Sequence, residues 1–263
     1  MTAGRTRDGI AAILEHRGFL REFVIQQLRL RYESSVLGFV WTLLNPLLVY
    51  ASFCLVFSFV NHWNLREYGI YFFSGYMAWT FFSTALALAA DSVVANAGYI
   101  TRVYVPKAVF PLTSIAISIV DLVASFFVLA ALMLILHAHF SIALWILPVS
   151  AILLSTFVSG VCFLVAMATV FLRDFRYLLN SLLFVWFFFC PILYRSDTIP
   201  ERLRPYFALN PVAPFLRLFQ QPISAGALPA SSDIFLSAGL AVGALALGTV
   251  LFLRAERQFY YYV

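Results

Sequence analysis

Charge is what this sequence has least of. Only 11% of its 263 residues are Asp, Glu, Lys or Arg and 63% are hydrophobic, where an ordinary soluble domain is about one quarter charged. The mean hydropathy is +0.92, high along nearly the whole length. No sizeable soluble domain fits, and a single polytopic membrane unit over 1–263 is expected. Lysine is almost missing. Lys107 is the only one, and no GxxxxGK[ST] stretch occurs, so the chain has no phosphate-cradling loop and is not expected to hydrolyse ATP. Cysteine is scarce too. Cys54, Cys162 and Cys190 lie in apolar runs without CxxC or Cys/His spacing, and read as buried small hydrophobes. His62 and the pair His137 and His139 have no carboxylates close by in sequence, so no metal site is expected. Asp174, in Arg173-Asp174-Phe175-Arg176, reads as part of a solvated charge cluster, and no nucleophile and base stand in a catalytic arrangement.

Seventeen basic residues against twelve acidic ones leave a net charge of +5. They sit at the ends of apolar segments, which fits membrane orientation better than nucleic-acid binding. Six segments offer the roughly 20 mostly apolar residues a spanning helix needs: 36–60, 70–95, 110–137, 142–172, 176–194 and 234–253. A cytoplasmic N-terminus leaves only Arg66, Arg195, Arg202, Arg204 and Arg217 outside, so both termini are expected in the cytoplasm. Arg5, Arg7, Arg17, Arg21 and Arg29 precede any long apolar core, which argues against a cleavable signal peptide.

Residues 17–33 predict an amphipathic helix at a membrane interface. Phe19, Leu20, Phe23, Val24 and Leu28 recur at helical spacing, and Arg21, Glu22, Gln26, Arg29 and Glu33 fall largely on another face. A surface anchor and a gate at the cytoplasmic mouth of a path both fit. Ser34, Ser35 and Gly38 then permit a bend into the bilayer, and Asn45-Pro46 predicts a kink in the first span. The long connection 195–233 alternates Pro200, Pro205, Pro211, Pro214 and Pro222 with aromatic and aliphatic residues. It reads either as a re-entrant outer gate or as an ordered external loop. Asp91 and Asp121 fall in or at the ends of spans, where a charge costs at least about 2.5 kcal/mol. A proton-coupled carrier is conceivable; structural hydrogen bonding is favoured, with Ser114, Ser118 and Ser125 on turns near Asp121.

Two stretches carry a resemblance. RYESSVLGFVWTLLNPLL, residues 31–48, and WFFFCPILYRSDTIPERLRPYFALNPVAPFLRLFQ, residues 186–220, resemble the permease subunit of ABC-type polysaccharide exporters, which move O-antigen, capsule and teichoic-acid chains on lipid carriers. The resemblance extends over essentially the whole chain. It implies an all-α membrane fold with six spans, an N-terminal amphipathic helix and re-entrant external helices between spans five and six. It also implies a permease homodimer in the bacterial inner membrane and two separate ATPase subunits that hold ATP and Mg, with no cofactor on this chain. A cytoplasmic coupling loop is implied at 96–109, within NAGYITRVYVPKAVFP, where Tyr99, Arg102, Tyr104 and Lys107 would meet the ATPase.

Glycan rings are polar at their hydroxyl rims and apolar on their C–H faces, so a path for them needs flat aromatic area. Trp41, Tyr50, Tyr71, Tyr76 and Trp79, with Trp186 and Tyr194, are the candidate lining. Interfacial or core packing is the alternative for each. Phe23, Arg29, Arg31 and Tyr32 are candidates for a cytoplasmic gate, and Pro200, Tyr206, Phe207 and Phe215 for an external one. The alternative functions are export of a smaller lipid or drug, and a non-transport membrane scaffold or glycan-modifying enzyme.

Overall fold

The computed structural model describes residues 15–33, 38–61, 65–102, 105–138, 140–195, 198 and 200–262. Among them every regular element is helical. In chain order these are α1 (Arg17–Glu33), α2 (Val40–Asn61), α3 (Leu65–Ser92), the short α4 (Ala97–Arg102), α5 (Val109–Ile135), a 3-10 turn (Ile142–Ile146) and α6 (Leu147–Phe171). There follow α7 (Phe175–Phe188), α8 (Arg204–Ala208), α9 (Ala213–Gln220), a π turn (Gln221–Ala225), α10 (Ser231–Ala255) and α11 (Phe259–Tyr262).

Arg66–Ser92, Val109–Ile135, Ile142–Phe171 and Ser231–Ala255 are long and apolar enough to cross a membrane; α2 runs 22 residues and is apolar over Val40–Val56, and Phe175–Phe188 is a shorter apolar helix. The difference from six expected spans is largest at the fifth. Its helix stops at Phe188 after 14 residues, about 21 Å of rise, where a hydrocarbon core is about 30 Å thick. Residues 189–195 continue as turns and bends.

α3 is the hub. Phe72, Phe73, Ala78, Phe82 and Ala85 are wholly buried, and it packs against α2, α5, α6, α7 and α9. The closest seam runs between α6 and α10. A Cβ on Gly160 would run into the backbone of Ala244, and one on Gly248 into the carbonyl of Gly160. Small residues here let two helix backbones touch, the usual device where lipid removes the hydrophobic drive between helices. The lipid-compatible side of α10 carries Phe235, Leu236, Val242 and Leu247, all exposed.

The connection after α7 is built into the bundle. α9 carries Pro214 in its first turn, where its fixed φ fits. Its Phe215 and Phe219 are fully buried, Phe215 stacking on Phe157 of α6 at 4.7 Å and Phe219 meeting Phe126 of α5 at 6.2 Å. Arg217 joins Asp233 at the start of α10 through two bonds, Nε to Oδ2 at 2.9 Å and Nη2 to Oδ1 at 2.6 Å. Gly226, at φ 65°, closes the π turn in the left-handed region that glycine tolerates. Ser141 Oγ donates to its carbonyl.

Near the chain termini a second core gathers distant segments. Phe23 of α1 is buried with Val93, Phe110, Phe163, Val170, Phe252 and Phe259. Phe23 meets Phe110 edge-on at 5.7 Å, and farther along both helices Arg31 reaches Asp121 at 2.9 Å. α1 therefore runs beside the first half of α5 in the same direction.

Candidate functional site

Two cavities flank one face of α3. The first, about 350 Å³, lies between the end of α1, the start of α2, α3 and α5, with Arg31, Tyr32, Trp41, Thr42, Asn45, Tyr76, Thr80, Thr84, Asp121 and Ser125 among its walls. The second, about 480 Å³, is bounded by Val49, Phe53, Tyr76, Trp79, Thr80, Ser83, Thr84, Asn180, Leu183, Phe184 and Phe187. Tyr76, Thr80 and Thr84 belong to both. They stand four residues apart, so they form one strip along the helix. Thr80 Oγ1 donates to the carbonyls of Tyr76 and Met77, which satisfies its proton inside the helix and leaves its lone pairs for a donor.

Pro46 explains part of the first cavity. A proline inside α2 leaves the carbonyl four residues earlier, that of Thr42, without its helical donor. Thr42 and Asn45 both border the cavity. Thr42 Oγ1 also donates to Tyr32 Oη at 3.3 Å, tying the end of α1 to α2.

Asp121 differs from its expected environment. Its carboxylate pairs with Arg31, 90 residues away in sequence, at 2.9 Å. The neighbouring serines turn inward to their own helix: Ser118 donates to the carbonyl of Ser114, Ser125 to that of Asp121, and Ser114 to that of Phe110. The serine network is therefore replaced by an ion pair to the amphipathic helix, because a hydroxyl four residues past a carbonyl satisfies itself locally. Asp91 likewise has a partner, Arg176 of α7 at 3.3 Å. Asp174 is exposed, while its neighbours turn to other segments, Arg173 donating to the carbonyl of Tyr262 and Arg176 to Asp91.

The seven candidate path aromatics separate by position. Trp41, Tyr76 and Trp79 border the cavities. Tyr50 packs edge-on against Phe73 and backs onto Gly69. Tyr71 Oη donates to the carbonyls of Pro191 and Tyr194. Trp186 Nε1 donates to Asn210 Oδ1 at 3.1 Å, and its ring lies near Trp79 and Phe82. Tyr194 Oη donates to the Phe188 carbonyl.

Of the candidate cytoplasmic gate residues, Arg31 and Tyr32 border the first cavity, Phe23 is buried below them and Arg29 is exposed. Of the candidate coupling residues, Tyr99 is exposed and meets Phe23 edge-on at 5.6 Å. Arg102 ends α4, and Tyr104 lies outside the described residues, as do Ser34, Ser35, His62 and His139. Lys107 is braced from the C-terminal segment. Its backbone N–H donates to Glu256 Oε1 and its Nζ to the Glu256 carbonyl, both at 2.6 Å, with Nζ 5.8 Å from the Phe259 ring. Burial raises the Glu256 carboxyl above the usual glutamate range and lowers the Lys107 ammonium, outweighing their mutual attraction.

At the other end, Pro200 and Tyr206 are exposed, Phe207 packs on Phe189 and Tyr194, and Phe215 is buried. Among the described residues no three His, Cys, Asp or Glu side chains converge as a metal site.

Sequence reasoning did not select Thr42, Thr80, Thr84 or Asn180. The recurrence of hydroxylated residues at 76, 80 and 84 was the available signal.

The ABC-2 type transporter family matches residues 20–223. A relative in Myxococcus xanthus named O-antigen export system permease protein RfbA is 28% identical over 256 residues, covering 95% of this chain and 97% of its own length. Two Klebsiella pneumoniae proteins of the same name are 26% and 27% identical, covering 80% and 74% of this chain and 83% and 78% of their own lengths.

Proposed function

The chain belongs to the ABC-2 type transporter family, and from that membership we propose that it is the membrane subunit of an ATP-driven exporter of a lipid-linked polysaccharide of the O-antigen class. Two copies form the permease in the bacterial inner membrane, with both termini cytoplasmic. Two nucleotide-binding subunits hold ATP and Mg and act on the 96–109 loop. The glycolipid is admitted beside α1 and passes along the strip on α3, while α8 and α9, dipping back from the far side, close the exit.

The observation that carries this reading is the strip itself: Tyr76, Thr80 and Thr84 give an otherwise apolar bundle one face that is both aromatic and hydroxylated, shared by two cavities. Such a face suits rings whose edges are polar and whose faces are not. Relatives of the same length named as O-antigen export permeases supply the substrate class. The brace from Glu256 to Lys107 supports force transfer at the loop, because displacement of residues 105–109 is passed directly to the end of α10. A nucleotide-driven partner works on this permease only by binding one of its conformations more tightly than another.

The test is reconstitution with the partner ATPase. Lipid-linked glycan should stimulate ATP hydrolysis, and crossing should require the ATPase. Glycolipid crossing with the nucleotide-binding subunit left out overturns the proposal. In cells, deletion should leave undelivered polymer inside.

A further inference from the structure

We propose that Glu256 and Lys107 form a reciprocal cap between two helix ends, one that stays closed through the transport cycle and delivers a stroke on the 96–109 loop to α6 and α10 together with α5. The inference rests on the exporter reading and deepens it, from a braced loop to the helices that move with it and the atoms that carry them.

Each helix end lacks what the other residue supplies. The first N–H groups and the last carbonyls of a helix have no partner within it. α5 has Ala108 at its N-cap position and no side-chain cap of its own. Just ahead of it the Lys107 N–H donates to Glu256 Oε1 at 2.6 Å, which sets a carboxylate at the positive end of the α5 dipole. α10 ends with Glu256 as its C-cap, and the Glu256 carbonyl accepts Lys107 Nζ at 2.6 Å, which sets an ammonium at the negative end of α10. Acid meets N-terminus and base meets C-terminus through one pair of residues, so the loop cannot leave α10 without losing both bonds. Both residues are half-buried, where a donor or acceptor left unpaired costs its desolvation. Moving the two ends together avoids that cost.

The joint extends to α6. Lys107 Nζ lies 5.8 Å from the ring of Phe259, which is fully buried against Phe252 of α10 and Phe171 of α6, at 5.2 and 5.9 Å. Arg173, just past α6, donates to the Tyr262 carbonyl at 3.3 Å. The turn after α10 is thereby folded over the end of α6, and farther along the same two helices the backbones meet at Gly160 and Gly248. Fastened at two levels, α6 and α10 take up a displacement as one body, because close-packed interiors hardly compress.

The experiment uses the full chain with its ATPase partner in lipid nanodiscs, and as probe the lipid-linked polymer extracted from cells that lack this chain. Glu256→Met and Glu256→Gln both match glutamate in length, but only Gln keeps an oxygen to accept the Lys107 N–H. Both should assemble, and hydrolyse ATP without probe, as wild type does. Stimulation by the probe should fall about fivefold or more in Glu256→Met and stay within about twofold of wild type in Glu256→Gln. Wild-type stimulation in Glu256→Met, or equal loss in both variants, overturns the joint. A second measurement serves where Glu256→Met does not assemble. With Lys107→Cys and Glu256→Cys combined, stimulation should be lost; a short bis-maleimide bridging the two thiols should restore it, since the bridge fastens the same two points and the native cysteines are buried. A bridged complex that stays unstimulated overturns a joint that remains closed. Wild type without stimulation discards the exporter reading itself, whereas a stimulated wild type beside an equally stimulated Glu256→Met discards the joint alone.

Discussion

At the end of the bundle away from the chain termini, Arg217 grips Asp233 through two nitrogens with both side chains largely covered, whereas at the terminal end Arg176 and Asp91 touch once, at 3.3 Å, with both open. The contrast extends to their surroundings. Around α9, Gln220 donates to the Pro191 carbonyl, Ser150 to that of Leu218, and Asn210 bridges Trp186, Phe189 and the Cys190 thiol. Around the start of α2 there is instead a cavity, one ion pair and exposed Phe39, Val40 and Trp41. A segment that is bonded at many points moves as a block, and one held at a few points can swing. In the exporter reading, the far end is set to open only with the helices that carry it, and the terminal end to open locally.

Three comparisons test that contrast. The largest effect is expected from Phe215→Ala, which empties a fully buried site stacked on Phe157 and should cost about 3–5 kcal/mol. Phe39→Ala, at the exposed start of α2, should cost far less, and equal losses of thermal stability in the two variants would erase the distinction. Next is Asp233→Ala, which leaves the Arg217 guanidinium without its partner and should cost about 3 kcal/mol. Asp91→Ala removes an open contact and should leave the melting temperature within error; a loss matching that of Asp233→Ala would mean the terminal end is locked as well.

The smallest effect concerns Glu256. Its folded pKa is raised by burial, so the stabilising contribution is complete below the unfolded value and fades as pH rises through the folded one. Wild type should therefore gain on Glu256→Gln as pH is lowered from neutral into the glutamate range, by about 2 °C or less in melting temperature. A gap between the two that stays constant with pH would show that the carboxylate is not desolvated beside Lys107.

The residues explain what was legible. The apolar segments and the amphipathic pattern of 17–33 depend on neighbours three to four positions away, and the helices appear where those patterns lie. The fifth segment fell short because apolar composition continues through 189–193 while the backbone turns there, held by Tyr71 and Gln220 from other helices. Asp121 was legible as an expensive residue and illegible as to its partner. No local period joins it to Arg31, and the nearby serines that composition offered are satisfied within their own helix.

Sequence by itself determined that this chain lives in a membrane, that it is helical, and that it lacks a phosphate loop, because hydropathy, helical period and motif spacing are local quantities. Only the tertiary structure decided which face of α3 is shared by two cavities, which arginine meets which aspartate, and that Glu256 braces Lys107. Those pairings are set by how helices far apart in the chain come to lie side by side, and a charge or hydroxyl in an apolar bundle takes whichever partner that packing brings within reach.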